Sequence, residues 1–304
     1  MKPFEITKKI YSVGEVSELL GVSDTAIRKW LKDRTIRAVR MKRRWFIPAE
    51  EIAGMFERAG LEIASSHENL VIVVGGTKGG TGKTTLAINF AALHAANGHE
   101  VLLVDADKQG SAALWAGWRD DENIEPRVPC VQKRGGGLDR EIKQFAAKYD
   151  TVIVDAGGYD NNELRQAMSV AQGLLVPIRP SQFDVAELAR MIPLIVECER
   201  LNPDLSCTVV INSAHPHPNS SEIRETRRSL MQIPQISSEE HPHIWLLDHE
   251  IRDRIAFRGA IPVGRAVFEV TPVDTKAVEE LQSVYKEVLD RVSVEDTTSH
   301  VAFS

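Results

Sequence analysis

Apolar and polar residues follow two different rhythms along this chain, and the change of rhythm divides it. In the first fifty residues the apolar positions are short and spaced. Val13, Val16, Leu19 and Leu20 fall on one face of a helix, behind Ser12-Val13-Gly14-Glu15, whose S-x-x-E spacing is that of a capping box. Gly21 can end that helix, and Ser23 can cap a second one from Asp24 to about Lys32, with Ile27, Trp30 and Leu31 facing inward. Two short helices around a glycine turn predict a helix-turn-helix. Ile36-Arg37-Ala38-Val39 and Trp45-Phe46-Ile47, on either side of the basic turn Arg40-Met41-Lys42-Arg43-Arg44, predict a two-stranded wing. Pro48 is placed to open a further helix from Ala49 to about Arg58.

Beyond residue 70 the rhythm changes to unbroken apolar runs. Val71–Val74, Val101–Val104, Val152–Val154 and Val209–Ile211 read as strands buried on both faces, as in a parallel sheet. Helical stretches such as Leu86–Ala92 lie between them. The expected fold is α/β, a doubly wound, mostly parallel sheet carrying a small N-terminal winged helix-turn-helix domain. The expected layout is a DNA-binding module over residues 1–60, a linker over 61–69, the large domain over 70–292 and a flexible tail over 293–304.

The first strand runs into Lys78-Gly79-Gly80-Thr81-Gly82-Lys83-Thr84-Thr85. A glycine-rich turn between strand and helix lets backbone N–H groups surround phosphate oxygens, and the following helix points its N-terminus at the anion. The strict G-x-x-x-x-G-K-[ST] pattern fails at one position, where Thr77 replaces glycine, while the two-lysine form K-G-G-x-G-K-[ST] fits throughout. Lys83 is expected on the β- and γ-phosphates and Thr84 on Mg²⁺. Two later strands end in carboxylates, Asp105 with Asp107 and then Asp155, at the sheet edge where α/β proteins bind ligands. Asp155 is expected to hold Mg²⁺ through water, and the Asp105–Asp107 pair to hold the metal's water shell or to place an attacking water. A helix-capping turn would explain one of that pair better than both.

In this order the motifs resemble the ParA partition ATPases of the MinD/ParA class, P-loop NTPases with a deviant Walker A motif, over roughly residues 70–290. The resemblance implies ATP and Mg²⁺ as cofactors and slow, partner-stimulated hydrolysis. It implies that Lys78 reaches the partner's phosphates in an ATP-sandwiched homodimer, so that Lys78, Lys83 and Asp107 are the catalytic set, with Asp107 activating water. It makes Thr84, Asp105 and Asp155 the metal set, and Lys78, Gly79, Gly80, Thr81, Gly82, Lys83, Thr84, Thr85 and Asn212 the nucleotide set. Asn212, ending Val209-Val210-Ile211, matches a position that contacts adenine; a plain strand-end turn is the alternative. Pro180-Ser181-Gln182-Phe183-Asp184 and Ile251–Arg258 also match, the latter in a segment near the DNA-binding face of similar proteins, which singles out Arg252, Arg254 and Arg258. Two loops depart from the family pattern: Lys108 stands where proline is usual, and Ala156-Gly157-Gly158 follows Asp155.

Charge then bears on the small module. The chain carries a net −6, yet Arg28 to Arg44 holds nine Lys or Arg and one acid, Asp33. A basic island in an acidic protein suits a phosphate backbone. Arg28 and Lys29 lie where a recognition helix would meet the major groove, and Arg40, Lys42, Arg43 and Arg44 on the wing would meet phosphate or minor groove. A solvated basic face on a protein-interaction module is the alternative. The segment resembles MerR-like and excisionase-like domains. Three cysteines without C-x-x-C spacing fit a reducing cytoplasm and argue against a cluster-binding redox ATPase. No apolar run is long enough to span a membrane. The expected function is ATP-dependent DNA partition at the nucleoid, with a ParB-like centromere-binding partner. A nucleotide-gated transcription regulator and a cargo-positioning ATPase are the alternatives.

Overall fold

The computed structural model describes residues 10–20, 23–33, 35–41, 44–48, 51, 69–76, 78–158, 162–217, 220–241 and 243–292. Gly21, Lys42, Arg43, Thr77, all but Glu51 of the helix expected from Ala49, most of the linker and the tail lie outside them. The chain divides into two compact units, Met1–Glu68 and Asn69–Ser304.

In the first unit α1 spans Val13–Leu20 and α2 spans Asp24–Lys32. The helices pack on a three-stranded sheet of β1 (Ile10–Ser12), β2 (Val39–Met41) and β3 (Arg44–Pro48), in the order β1-β3-β2. All pairings are antiparallel, with Val39 opposite Phe46 and Ile10 opposite Pro48. Tyr11, Val13, Val16, Ile27, Ile36 and Ile47 form the core, with Trp30, Leu31 and Trp45 packed against it. The unit departs from the expected pattern in two places. Arg40 and Arg44 sit on strands rather than in a turn, because β2 begins at Val39 and β3 at Arg44. Pro48 is the last residue of β3, a position that tolerates its missing donor, and Glu51, three residues on, is helical. The strand at Ile10 has no counterpart in the pattern, since three residues are too few to show a period.

The second unit is a seven-stranded parallel sheet. Its strands are β4 (Leu70–Gly76), β5 (Val101–Asp105), β6 (Cys130–Gln132), β7 (Thr151–Gly158), β8 (Gly173–Ile178), β9 (Ser206–Ile211) and β10 (Ile244–Leu246), in the order β10-β9-β8-β4-β7-β5-β6. Alternate residues of each central strand go to opposite faces, and both faces are covered. Val71, Val73, Val152, Val154, Val209 and Ile211 share one core with Ile142, Leu164 and Leu188. Ile72, Val74, Leu103, Ile153 and Val210 share the other with Phe90, Trp115, Leu281 and Val288. The helices on the first face are α5 (Leu138–Ala146), α6 (Asn162–Met168), α7 (Gln182–Leu201) and α8 (Glu222–Leu230). Those on the second are α3 (Lys83–Ala96), α4 (Ser111–Asp121), α9 (Ile255–Ala260) and α10 (Thr275–Val292). Burial on both faces is why these strands lack polar alternation.

The segment that closes the sheet's carboxyl edge is anchored from below. Arg119 on α4, 1% exposed, forms a two-pronged pair with Glu269, both bonds at 2.8 Å, and donates to the carbonyls of Gly264 and Pro126. Breaking such a buried pair on one side costs roughly 3–5 kcal/mol. Asn89 on α3 adds a second tie, accepting from the Val267 N–H at 2.8 Å.

Candidate functional site

The loop from Lys78 to Gly82 joins β4 to α3, so it sits mid-sheet, between the ends of β8 and β7. Gly82 precedes the helix at φ 93, in the left-handed region, and a Cβ there would lie 2.2 Å from the Asn212 amide nitrogen. Conformation and space both demand glycine. Gly79 and Gly80 are exposed, Thr81 is buried, and Thr84 and Thr85 are half-buried at the first turn of α3. Lys83, only 6% exposed, folds its ammonium back to donate to the Lys78 carbonyl at 2.7 Å. Burial lowers its pKa, opposed by the charges of Asp155 and Asp107.

Carboxylates lie to one side of the loop, on β7 and β5. Asp155 is fully buried, and neither of its oxygens has a hydrogen-bond partner among the described residues. Burial pushes its pKa up to about 7; the nearby Thr84 hydroxyl opposes the shift, and the charges of Asp105 and Asp107 add to it. A buried carboxylate without a hydrogen-bond donor among the described residues, beside a threonine hydroxyl, is a donor set that fits a hard cation. Asp105, also fully buried, accepts from the Asp107 N–H at 3.2 Å through one oxygen and from the Ala113 N–H at 2.9 Å through the other. Its first visible role is to shape the turn into α4, and each oxygen keeps one lone pair for a metal-bound water. Asp107, half-buried, accepts from the Gln109 N–H at 2.9 Å.

The other side, on β8 and β9, is cationic. Asn212, just past β9, donates its amide to the Thr81 carbonyl at 2.7 Å, gripping the loop from the flank. Lys78 forms an ion pair with Asp184 on α7, whose carboxylate is almost wholly buried and also accepts the Arg179 N–H at 3.0 Å. Beyond them opens a cavity of about 700 Å³ lined by Gly80, Gly82, Arg179, Asn212, Arg252 and Arg254, among others. The Ile251–Arg258 arginines are held by carboxylates. Arg254 pairs with Glu280, Arg252 with Glu250 and Glu280, and Arg258 with Asp253. Arg252 and Arg254, whose side chains are 18% and 15% exposed, lie deep in the cavity wall, and Arg258 lines the same cavity with its side chain open to solvent.

The sequence pattern attaches no role to Arg179, Asp184 or Asn89. For Asp184 there is a faint signal: Ser181-Gln182-Phe183-Asp184 has helix-start spacing, and Ser181 does cap α7. In the N-terminal unit Arg28 and Lys29 are exposed on α2. Arg40 and Arg44 face one another's neighbours across the wing, Arg40 opposite Trp45 and Arg44 opposite Met41, while Lys42 and Arg43 lie outside the described residues. The His215 ring accepts from the His217 N–H, and no group of three metal-binding side chains occurs among the described residues.

A phosphate loop at the middle of a parallel sheet, with an unpartnered carboxylate on the adjoining strand, defines a P-loop nucleotide-binding protein. The chain belongs to the CobQ/CobB/MinD/ParA nucleotide binding domain family, matched over residues 72–264, and carries a helix-turn-helix domain matched over residues 10–60. It is 26% identical over 226 residues to maintenance of carboxysome distribution protein A of Halothiobacillus neapolitanus, covering 74% of this chain and 99% of that protein. It is 30% identical over 164 residues to protein ParA of Rhizobium radiobacter, covering 53% of this chain and 72% of that protein. The fold is similar to that of the Cyanothece McdA(D38A)–ATP complex, with a TM-score of 0.57 at 17% identity over 73% of this chain and 96% of that one. No described helix is long and apolar enough to cross a membrane.

Proposed function

We propose that this chain is an ATPase that partitions DNA, switching between a monomer and an ATP-sandwiched dimer. The observation that carries the reading is the pair of lysines in the loop. Lys83, the first residue of α3, folds its ammonium against the Lys78 carbonyl, while the Lys78 side chain points out to Asp184 and is 42% exposed. A lysine held at the rim by one carboxylate can exchange that partner for the triphosphate of a second copy, acting as an arginine finger does in trans. Phe183 and Ile255, 81% and 79% exposed, flank the same edge and suit burial against another chain. Thr84 and, through water, Asp155 and Asp105 are the residues to hold Mg²⁺, which would neutralise β- and γ-phosphate charge. Asp107 places the attacking water, and turnover is slow until a ParB-like partner stimulates it.

The dimer offers basic charge to nonspecific DNA. Arg224 and Arg228, exposed one turn apart on α8 without a carboxylate partner among the described residues, serve best, with Arg258 as a weaker candidate. Arg227 is already held by the Leu247 and Asp248 carbonyls, and Arg252 and Arg254 by Glu250 and Glu280. The N-terminal unit reads an operator or centromere site through Arg28 and Lys29, with Arg40, Lys42, Arg43 and Arg44 on the backbone. The protein acts at the nucleoid, in the cytoplasm.

A second reading, positioning of a protein cargo over DNA, draws on the near-complete coverage of a carboxysome distribution protein. The motor is the same and the stimulating partner differs. Sedimentation of the full chain with ATP, with ADP and without nucleotide tests the core of both readings. ATP is expected to give a dimer that binds unrelated DNA fragments; a monomer under all three conditions would reject the switch. Loss of a plasmid from cells lacking the gene, against mislocalisation of a protein assembly, separates the two cargoes.

A further inference from the structure

We infer that Arg179 is a third phosphate-binding cation of the nucleotide site, in addition to the two lysines of the loop. This rests on reading the cavity as a nucleotide site and adds a residue that the loop motif does not contain. Arg179 follows β8 directly, at the sheet edge where ligands bind, on the strand that pairs with β4. A methyl group built on Gly80 would lie 3.3 Å from Arg179 Nη2, so the guanidinium rests against the turn whose N–H groups cradle phosphate. Gly80 adopts φ 80, in the left-handed region, and without a side chain it leaves the turn open to the guanidinium.

The neighbouring cations set Arg179 apart. Lys83 donates to the Lys78 carbonyl, and Lys78 is paired with Asp184. Arg252, Arg254 and Arg258 each have a carboxylate. Arg179 lines the same cavity, and among the described residues its guanidinium has no carboxylate partner. Its own N–H is fixed by the buried Asp184, which holds the start of the side chain in place. A planar fork of donors, fixed at its base and leaning on a phosphate loop, matches a phosphate group in two-pronged fashion. Arg179 therefore contacts the phosphate chain of the nucleotide bound by its own subunit.

The test is displacement of a fluorescent N-methylanthraniloyl ATP analogue from the full chain, with Mg²⁺, by ATP and by adenosine. Arg179→Ala is expected to weaken ATP about tenfold and to leave adenosine unchanged, with Arg179→Lys in between. Thermal unfolding without nucleotide should be the same for all three proteins, since Arg179 is exposed. Equal loss for ATP and adenosine would overturn the inference, and so would ATP binding unchanged in Arg179→Ala. Lys83→Ala tells the two levels apart. If it loses ATP while Arg179→Ala does not, only the role of Arg179 falls; if neither loses ATP, the nucleotide site itself is wrong.

Discussion

The two flanks of the phosphate loop have opposite characters. On the β7–β5 side three aspartates converge and leave Asp155 buried without a partner among the described residues. Their influence extends to Cys130, whose thiol is pushed up to about 12, by burial first and then by the charges of Asp105 and Asp155. On the β8–β9 side stand an amide and a set of cations, nearly all already paired. The acidic flank is unsatisfied and the basic flank is largely satisfied. One edge therefore suits a cation, and the other offers cations that an anion can draw from their carboxylates. The loop between them is where a metal–nucleotide complex, carrying both charges, suits both sides.

The largest expected effect lies at the residue the flanks share. Lys83→Ala removes the buried ammonium at the start of α3, and the affinity for ATP should fall about a hundredfold, read by titration of the fluorescent analogue. An unchanged affinity would mean that the flanks do not meet on a phosphate.

Next comes the acidic side. Asp155→Asn should abolish Mg²⁺-dependent hydrolysis while raising the melting temperature of the nucleotide-free protein, because a buried, unpartnered charge is removed. The same group sets a pH dependence. Its folded pKa, about 7, lies above the unfolded value of 3.8, so the folded state binds the extra proton. Its contribution to stability is full below about pH 4 and is lost as pH rises through 7. The melting temperature of the free protein should fall over that window, and the Asp155 part of that fall should vanish in Asp155→Asn. A profile identical in the two proteins would show that Asp155 already has a partner.

On the basic side the expected change in nucleotide affinity is smaller and the change in assembly is the readout. Lys78→Ala should bind ATP within about fivefold of wild type and fail to dimerise in sedimentation. If it dimerises normally, Lys78 has no role across the interface. Asp184→Asn frees the lysine and should shift dimerisation to lower protein concentration, which the same experiment reads.

The smallest effect is expected far from both flanks. Arg28→Ala or Lys29→Ala should weaken binding to the cognate site several-fold. The slope of affinity against salt should fall by about one counterion for each phosphate that is no longer neutralised. ATP affinity should not change. A full-strength footprint in the double variant would remove the N-terminal helix from DNA recognition.

Much of this was legible in the linear chain, for local reasons. The Val71–Val74 and Val152–Val154 runs are strands because burial on both faces leaves no polar alternation, and α2 spans Asp24–Lys32 as its cap and periodicity indicate. The phosphate loop is encoded by eight adjacent residues, so its chemistry needs no tertiary information. What folding alone decided is who meets whom across the sheet. Lys78 meets Asp184, Asn212 meets Thr81 and Arg119 meets Glu269 over separations of roughly a hundred residues or more, where no periodicity carries a signal. The same holds for the arginines of the Ile251–Arg258 segment. In the chain they are bare charges, and only the packing of α10 beside them puts Glu280 within reach of two. Local pattern fixes backbone geometry because each residue's neighbours are its constraint; charge partnership depends on the order of strands, which a single chain does not spell out.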